Sequence, residues 1–200
     1  MRVEVVSMTP HPIGVISRAA GMCYGKTDES IQRLDSCYRR GHMSVFEHAG
    51  ATFRITGISR ACSHQLVRHR IASYNQESQR YCKIDVDSDD WYVTPPSFNE
   101  AEQFLFEGVM SDIAAAYNAM LTDGLKPEDA RYILPEACKT KVTVTMNLRE
   151  LYHFLDTRQD PRAQWEIREL AHAMEDELAK CDSEWQHLMS LRTDGGKHEQ

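Results

Sequence analysis

Three segments of the chain have the residue pattern of β-strands. Residues 2–8 (RVEVVSM) are rich in valine, and residues 140–146 (TKVTVTM) alternate polar and apolar side chains without interruption. Residues 49–58 (AGATFRITGI) place apolar side chains at alternate positions through their middle. Alternation with a period of two is typical of a strand that buries one face. We therefore predict three strands here and a short fourth at residues 91–93.

The first helices are indicated by small or apolar side chains at helical spacing. Residues 13–24 predict one helix, and the polar run at residues 27–30 begins a second, in which Ile31, Leu34 and Tyr38 share a face. These elements precede the strand at residues 49–58.

A third predicted helix, at residues 59–69, carries a polar stripe. Side chains four positions apart lie on the same face of a helix, and those three apart are close neighbours. This spacing brings Gln65, Arg68 and His69 together at the end of the helix.

The second half of the chain is predicted to be mostly helical. Residues 97–100 (SFNE) have the form of a capping box and begin a helix that extends to about residue 121. Residues 127–131 form a short helix, and in residues 147–150 Asn147 caps the helix after the last strand while Glu150 completes a second box. A long final helix starts near residue 163.

Two of these helices have an apolar side that we expect to be buried. On the helix that begins after residue 100, this side consists of Ala101, Leu105, Val109, Ile113, Ala116 and Met120. On the final helix it consists of Ala171, Met174, Leu178, Cys181, Trp185 and Leu188.

Helical patterns cover more of the chain than strand patterns do, and we find no internal repeat or linker. We therefore predict a single, helix-rich α+β domain over residues 1–192, with long helices packed on a mixed or antiparallel sheet. Residues 193–200 are polar, and we predict that they form a disordered tail.

Composition and charge restrict the classes of function. The 200 residues are 42% hydrophobic and 26% charged, as in an ordinary globular domain, and the formal net charge of −7 argues against a protein that coats nucleic acid. There is no signal-peptide pattern and no apolar run of membrane-spanning length. The six cysteines include no C-x-x-C pair. We expect a reduced, cytoplasmic protein that binds neither membranes nor nucleic acid.

Residues 68–80 (RHRIASYNQESQR) contain three arginines and a histidine, but Glu77 is their only acid. Arginine presents a fixed fork of donors that suits phosphates and carboxylates, and its plane stacks on flat rings. In an acidic chain, such a cluster indicates a local anion site.

A second set of donors is formed by Asn147, Arg149, His153 and Arg158. The alternative interpretation is a solvated charged face with structural ion pairs, since surface arginines are common. Two donor-rich sets with few nearby acids favour an anionic ligand with many acceptors, such as a nucleotide. The glycine-rich phosphate-binding motifs are absent, so side chains would hold the phosphates.

Other chemistry has weaker support. His42, Glu47 and His48 suggest a metal-dependent hydrolase, but the histidines are six positions apart in an irregular segment, and we predict no metal site. Cys62 and Cys82 flank the basic stretch, yet nothing marks either as a nucleophile.

The spacing Arg68-His69-Arg70, seven residues, then Ser78 resembles the R-H-R-x7-S signature of the flavin-dependent thymidylate synthases. The resemblance covers nearly the whole chain. Its other segments are His42, Phe46-Glu47-His48, Arg131 with Leu134-Pro135, Asn147-Leu148-Arg149, and Arg158 ahead of Ala163-Gln164-Trp165-Glu166-Ile167-Arg168.

This resemblance implies a homotetramer with active sites between subunits. It also implies FAD as cofactor and dUMP, methylenetetrahydrofolate and NADPH as substrates. NADPH reduces the flavin, the folate gives its one-carbon unit to C5 of the uracil, and the products are dTMP and tetrahydrofolate. No enzyme nucleophile is obligatory in this family, which agrees with the lack of a credible cysteine.

The resemblance also assigns roles to individual residues. The positions matching FAD contacts are Ser44, Arg68, His69, Arg70, Gln76, Asn147, Arg149 and His153. The positions matching dUMP contacts are Gln65, Arg68, Gln76, Ser78, Gln79, Arg80, Arg131 and Arg158. Arg158 matches the catalytic arginine that polarises the uracil, and residues 76–80 would serve the site of a neighbouring subunit.

Three positions depart from other members of the family. Gln76 stands where some have Glu, and Cys23 and Arg162 stand where others have Ser and His. These differences concern individual contacts rather than the reaction. The alternative to an enzyme is a non-catalytic nucleotide- or RNA-binding module that kept the basic cluster.

Overall fold

A single antiparallel sheet organises the chain. The computed structural model describes the backbone of residues 1–194 and the side chains of residues 1–192. The strands are β1 (Arg2–Met8), β2 (Gly50–Ser59), β3 (Ala72–Gln76) and β4 (Lys139–Asn147), arranged in the order β1-β2-β4-β3. Every neighbouring pair is antiparallel, which confirms the predicted α+β class.

The structure confirms three of the predicted strands and changes the fourth. The short strand expected at residues 91–93 is a single bridge between Tyr92 and Cys138. The strand that sequence patterns missed is β3, whose residues ASYNQ are mostly polar. It forms because its backbone pairs with β4 along its whole length, from Ala72 to Gln76. Cross-strand pairing therefore outweighs a weak local preference.

Eight α-helices are present in the described part of the chain. They are α1 (Pro12–Met22), α2 (Ile31–Arg39), α3 (Arg60–Leu66), α4 (Glu100–Thr122), α5 (Pro127–Ala130), α6 (Leu148–Arg158), α7 (Trp165–Ala179) and α8 (Ser183–Asp194). Two 3₁₀ helices, Met43–His48 and Arg131–Ile133, join them.

The core lies on one face of the sheet. Phe53, Ile55 and Val144 point to that face and are fully buried among the helices. The opposite face is polar, and the hydroxyls of Thr52 and Thr145 are hydrogen-bonded there at 2.9 Å. The alternation that predicted β2 and β4 thus follows from a sheet with one covered face.

A second, smaller apolar cluster lies under α4 and corrects the predicted face of that helix. The side chains that α4 buries most deeply are Met110 and Tyr117, which pack with Trp91. Leu105 and Val109, expected inside, are 69% and 45% exposed. Apolar residues occupy more than one side of α4, so periodicity alone did not identify the buried side.

The caps of two helices also differ from the prediction. The N-cap of α4 is Asn99, whose side chain accepts from the backbone of Ala101 and Glu102, and Glu102 completes the box. The expected box at residues 97–100 was wrong by two positions. On α6, Asn147 is the N-cap as predicted, but no return contact from Glu150 to the Asn147 backbone is present.

The predicted final helix is two helices, α7 and α8. They are separated at residues 180–182, where the Asp182 carboxylate accepts from the backbone of Trp185 at 2.9 Å and begins α8. The predicted seam is buried at Met174, Leu178 and Trp185, whereas Cys181 lies at the break and is exposed.

The backbone of α8 continues through residues 193 and 194. The rest of the predicted disordered tail, residues 195–200, lies outside the described residues. In the part of the chain that the structure describes, no helix is long and apolar enough to cross a bilayer.

Candidate active site

The end of α3 is fixed by contacts on both sides. At its start, the Ser59 hydroxyl caps the helix and donates to the buried carboxylate of Glu166. At its end, the Tyr74 hydroxyl on β3 lies 2.9 Å from the carbonyl oxygen of Leu66 and 2.7 Å from that of His69. The segment that enters β3 is therefore held between α3 and the sheet.

Arg158, at the end of α6, contacts this segment directly. Its Nε donates to Nε2 of His69 at 2.9 Å, and its Nη2 donates to the backbone carbonyl of Gln65 at 3.2 Å. Its Nη1 lies 3.5 Å from the side-chain oxygen of Gln65. Arg158 thus forms one hydrogen-bonded cluster with Gln65 and His69, two predicted site residues that are distant from it in sequence.

His69 is the buried member of the cluster. The residue is 5% exposed, and its ring makes an edge-to-face contact with Phe154 at a centroid separation of 5.0 Å. Burial, together with the charge of Arg158 and the neighbouring His153, lowers the pKa of His69 to about 4. The ring is therefore neutral at neutral pH.

A cavity of about 520 Å³ opens beside His69. Its walls are Glu47, Arg68, His69, Arg70, Ile71, Asn147, Arg149, Glu150 and His153. Among the described residues, Arg68 and Arg70 have no acidic partner, whereas Arg149 is paired with Glu47. Six predicted flavin contacts line this one cavity, so the site combines free guanidinium donors with imidazole rings and the apolar side chain of Ile71.

One cluster in the cavity has the composition of a metal site. Ligand atoms of His69, Glu150 and His153 all lie within 4.8 Å of one another. The hydrogen bond from Arg158 argues against a bound ion, because it occupies Nε2 of His69 as an acceptor and so leaves the ring proton on Nδ1, the atom that faces Glu150. A protonated nitrogen cannot ligate a metal.

The predicted nucleotide contacts of residues 78–80 lie on a different part of the surface. Arg80 donates from Nε to the Glu128 carboxylate at 2.6 Å, and Arg131 donates to the Glu128 backbone carbonyl at 3.1 Å. The Ser78 hydroxyl accepts from the backbone of Arg80, and Gln79 contacts the sulfur of Cys138. Arg80 and Arg131 therefore lie on either side of one acid.

Two predicted flavin contacts do not line the cavity. Ser44 is exposed on the 3₁₀ helix Met43–His48, which contributes Glu47 to the wall instead. The side-chain nitrogen of Gln76 lies 2.9 Å from the Ser63 hydroxyl and 3.2 Å from the Thr140 hydroxyl. Within one chain, Gln76 joins β3 to α3 rather than facing the cavity.

Sequence reasoning missed the positions that two acids occupy. Glu150 lies inside the site, 6% exposed, although its spacing from Asn147 indicated a helix cap. The sequence predicts Glu128 only as part of the short helix at residues 127–131. A pattern of polar residues three apart could mark Glu150 as a cap candidate, but only the tertiary structure brings it to within 3.4 Å of His69.

Comparison with known proteins assigns the chain to a family. A family model described as thymidylate synthase complementing protein matches residues 4–182. The flavin-dependent thymidylate synthase of Geobacter sulfurreducens is 46% identical over 187 residues, covering 87% of this chain and 80% of its own. The chain belongs to the flavin-dependent thymidylate synthase family.

Other family members show the same relationship. The flavin-dependent thymidylate synthase of Pyrococcus furiosus is 44% identical over 196 residues, covering 91% of this chain and 80% of its own. A crystal structure of the Helicobacter pylori flavin-dependent thymidylate synthase, complexed with FAD and dUMP, superposes with a TM-score of 0.77 at 26% identity. The match covers 94% of this chain and 98% of that one, so the family fold is present throughout.

Proposed function

We propose that this protein converts dUMP to dTMP by reductive methylation, with methylenetetrahydrofolate as one-carbon donor and FAD, reduced by NADPH, as reductant. The proposal rests on one observation: segments of the family signature that are distant in sequence meet at one site. His69 of the R-H-R motif and Arg158 of α6 are hydrogen-bonded beside a donor-rich cavity.

The residues that line the cavity suit FAD. Arg68, Arg70 and Arg149 offer guanidinium donors to a diphosphate, and Asn147 offers an amide that matches ring edges or ribose hydroxyls. When bound, FAD would supply the two electrons that convert the transferred methylene group to a methyl group. In this assignment His69 and His153 form part of the pocket wall. Ser44 and Gln76 contact the flavin only from a neighbouring chain or after local movement.

Arg158 is the proposed catalytic residue. A guanidinium at the N3–C2=O edge of uracil favours the ionised ring, because opposite charges attract strongly in a site that excludes water. Ionisation raises electron density at C5, the carbon that must attack the one-carbon unit. The contacts to His69 and Gln65 hold the plane of the guanidinium before substrate binds. The side chain therefore does not have to be ordered during the reaction.

The remaining dUMP contacts are proposed to act across a subunit boundary. Ser78, Gln79, Arg80 and Arg131 lie outside the cavity that His69 lines, and Arg80 is exposed. Large apolar side chains surround this region or cover α4 without being buried in the chain: Tyr81, Phe104, Leu105 and Tyr132 are 76%, 80%, 69% and 83% exposed. Exposed apolar surface of this kind supports association between chains, as the proposed homotetramer requires.

The proposed compartment is the cytoplasm. All six cysteines are free, although Cys23, Cys82 and Cys181 are exposed. Free exposed thiols persist in a reducing environment, where NADPH is also available as a reductant.

The activity is tested by release of tritium from [5-³H]dUMP. Purified protein loaded with FAD should release tritium only when both methylenetetrahydrofolate and NADPH are present, because C5 loses its hydrogen as a proton after bonding to the one-carbon unit and NADPH supplies the hydride that completes turnover. Binding of FAD and dUMP without tritium release would contradict the enzyme and favour the non-catalytic nucleotide-binding module. Strongly salt-dependent RNA binding would point to the RNA-binding form of that alternative.

A further inference from the structure

We propose that Glu150 is a positioning residue for Arg158 and acts through the tautomer of His69. The inference rests on the proposed function, since it assigns Glu150 to the orientation of the catalytic guanidinium. Three side chains act on one another in turn: Glu150 on His69, and His69 on Arg158. Glu150 and Arg158 belong to α6, and His69, which follows α3 in the chain, lies 3.4 Å from the first and 2.9 Å from the second.

The contact between Arg158 and His69 fixes where the ring proton lies. Arginine remains protonated in proteins and has no acceptor, so its Nε donates and Nε2 of His69 accepts at 2.9 Å. A neutral imidazole has one proton, and it must then lie on Nδ1. The low pKa of His69, about 4, keeps the ring in this neutral form.

The Nδ1 proton needs an acceptor, and Glu150 is placed to provide one. Nδ1 is buried and has no hydrogen-bond partner among the described residues, while Oε1 of Glu150 lies 3.4 Å away. A buried donor that lacks a partner is costly, so a small movement of Glu150 that closes this distance is favourable. Hydrogen bonds in active sites are often long in the unliganded protein and shorten when ligand binds.

This role does not depend on the charge of Glu150. Burial raises the pKa of its carboxyl group, yet both the carboxylate and the carbonyl oxygen of the protonated acid accept a hydrogen bond. The same reasoning holds for an amide oxygen, so glutamine at this position preserves the acceptor.

Removal of the acceptor would disturb Arg158. Without Glu150, the Nδ1 proton is left buried with no acceptor, and this cost reduces the preference for that tautomer over the one protonated on Nε2. Nε2–H would then face the Nε–H of Arg158, two donors with no acceptor between them. The guanidinium would have to rotate away from His69, and its orientation toward the substrate would be lost. Glu150 thus resembles the buried carboxylate that fixes a histidine tautomer in hydrolase triads.

A matched pair of variants separates this role from simple packing. Glu150→Gln keeps an acceptor, and Glu150→Leu has a similar volume without one. The tautomer is read directly from ¹⁵N chemical shifts of the ring nitrogens in ¹⁵N-histidine-labelled, FAD-loaded protein. The chain has nine histidines, and the His69 signals are identified by their loss in His69→Gln. This readout does not require turnover.

We expect wild type and Glu150→Gln to show His69 protonated on Nδ1, and Glu150→Leu to show protonation on Nε2 or a mixture. In the tritium assay, Glu150→Leu should lower kcat by about 10- to 100-fold, while Glu150→Gln stays within about threefold of wild type. Melting temperature and flavin content of each variant control for folding.

Two results would overturn the proposal. One is an Nδ1-protonated His69 in Glu150→Leu, and the other is equal kcat for the leucine and glutamine variants. If wild-type protein fails to release tritium, the proposed function fails instead, and the ¹⁵N spectra still decide whether Glu150 sets the tautomer.

Discussion

The two halves of residues 68–80 differ in how much one chain completes by itself. His69 is 5% exposed and hydrogen-bonded to Arg158, and the neighbouring arginines line a cavity whose walls belong to the same chain. The Arg80 side chain is 55% exposed, and its acidic partner, Glu128, is a surface residue of α5. The first half is held by buried contacts within one chain, whereas the Arg80 side chain of the second half is mostly exposed to solvent.

The difference indicates how the site is assembled. Internal hydrogen bonds hold His69 and Arg158 in position before any ligand binds, so their contribution is preorganisation. The ion pair between Arg80 and Glu128 lies in solvent, where such pairs contribute little and exchange readily.

The largest effect is expected for Arg158→Ala. Loss of a charge-assisted contact to the reacting uracil costs on the order of 2–4 kcal/mol, so turnover should fall roughly 30- to 1,000-fold. Flavin binding should persist, since the arginines of the cavity remain. Arg18→Ala, a surface arginine of α1 paired with Glu29, is the matched control and should keep its turnover. Near-normal turnover of Arg158→Ala would remove it from the mechanism.

The buried half of residues 68–80, around His69, should also make the stability of the fold depend on pH. His69 has its pKa lowered from 6.5 to about 4, so the unfolded chain binds an extra proton between these pH values. The stabilisation by neutral His69 is complete above pH 6.5 and is lost as pH falls toward 4. It amounts to at most about 3 kcal/mol in the free energy of unfolding.

Urea unfolding at fixed protein concentration checks this coupling. The difference between wild type and His69→Gln should shrink as pH falls from 6.5 to 4, whereas Arg80→Ala should keep the wild-type pH dependence. Parallel pH curves for wild type and His69→Gln would show that the ring is not held neutral by burial.

The exposed half of residues 68–80, around Arg80, should control the affinity for dUMP. Arg80→Ala removes one phosphate contact and should raise KM for dUMP by about 10-fold with little change in kcat. Glu128→Gln should have a smaller effect in the opposite direction, because it releases Arg80 from a surface ion pair of about 0–1 kcal/mol. Steady-state kinetics at two salt concentrations measure both, and an unchanged KM in Arg80→Ala would exclude a phosphate role.

Mixed oligomers test whether Arg158 of one chain and Arg80 of another complete the same site across a subunit boundary. Arg158→Ala and Arg80→Ala chains, refolded together and assayed at low dUMP, should regain activity in about a quarter of their sites if each site uses both chains. No recovery beyond the mean of the separate variants would place both half-sites in one chain.

The smallest effects are expected at the thiols. Cys62 is buried, and burial raises its pKa far above the ordinary thiol value, so it is not a thiolate at neutral pH. Cys62→Ser and Cys82→Ser should keep turnover within about threefold of wild type. A folded, flavin-bound variant without activity would instead indicate a thiol nucleophile.

The same contrast explains what could be predicted from sequence. The strands β1, β2 and β4 and the R-H-R-x7-S spacing are local patterns, so they are visible in the chain itself. The strand β3 and the contact between His69 and Glu150 depend on pairing with β4 and on packing of α6, and no local signal records them. The spacing of apolar residues also does not identify the buried face of α4, because Leu105 is apolar yet lies on a face that the described chain leaves exposed.

The absorption spectrum of the purified protein tests the central claim most directly. We predict a yellow, FAD-containing protein whose flavin absorbance is bleached by NADPH in the absence of air. Addition of dUMP and methylenetetrahydrofolate should then restore the oxidised spectrum with formation of one dTMP per flavin. A colourless protein that cannot be loaded with FAD, or a bleached flavin that dUMP and the folate leave reduced, would contradict the account.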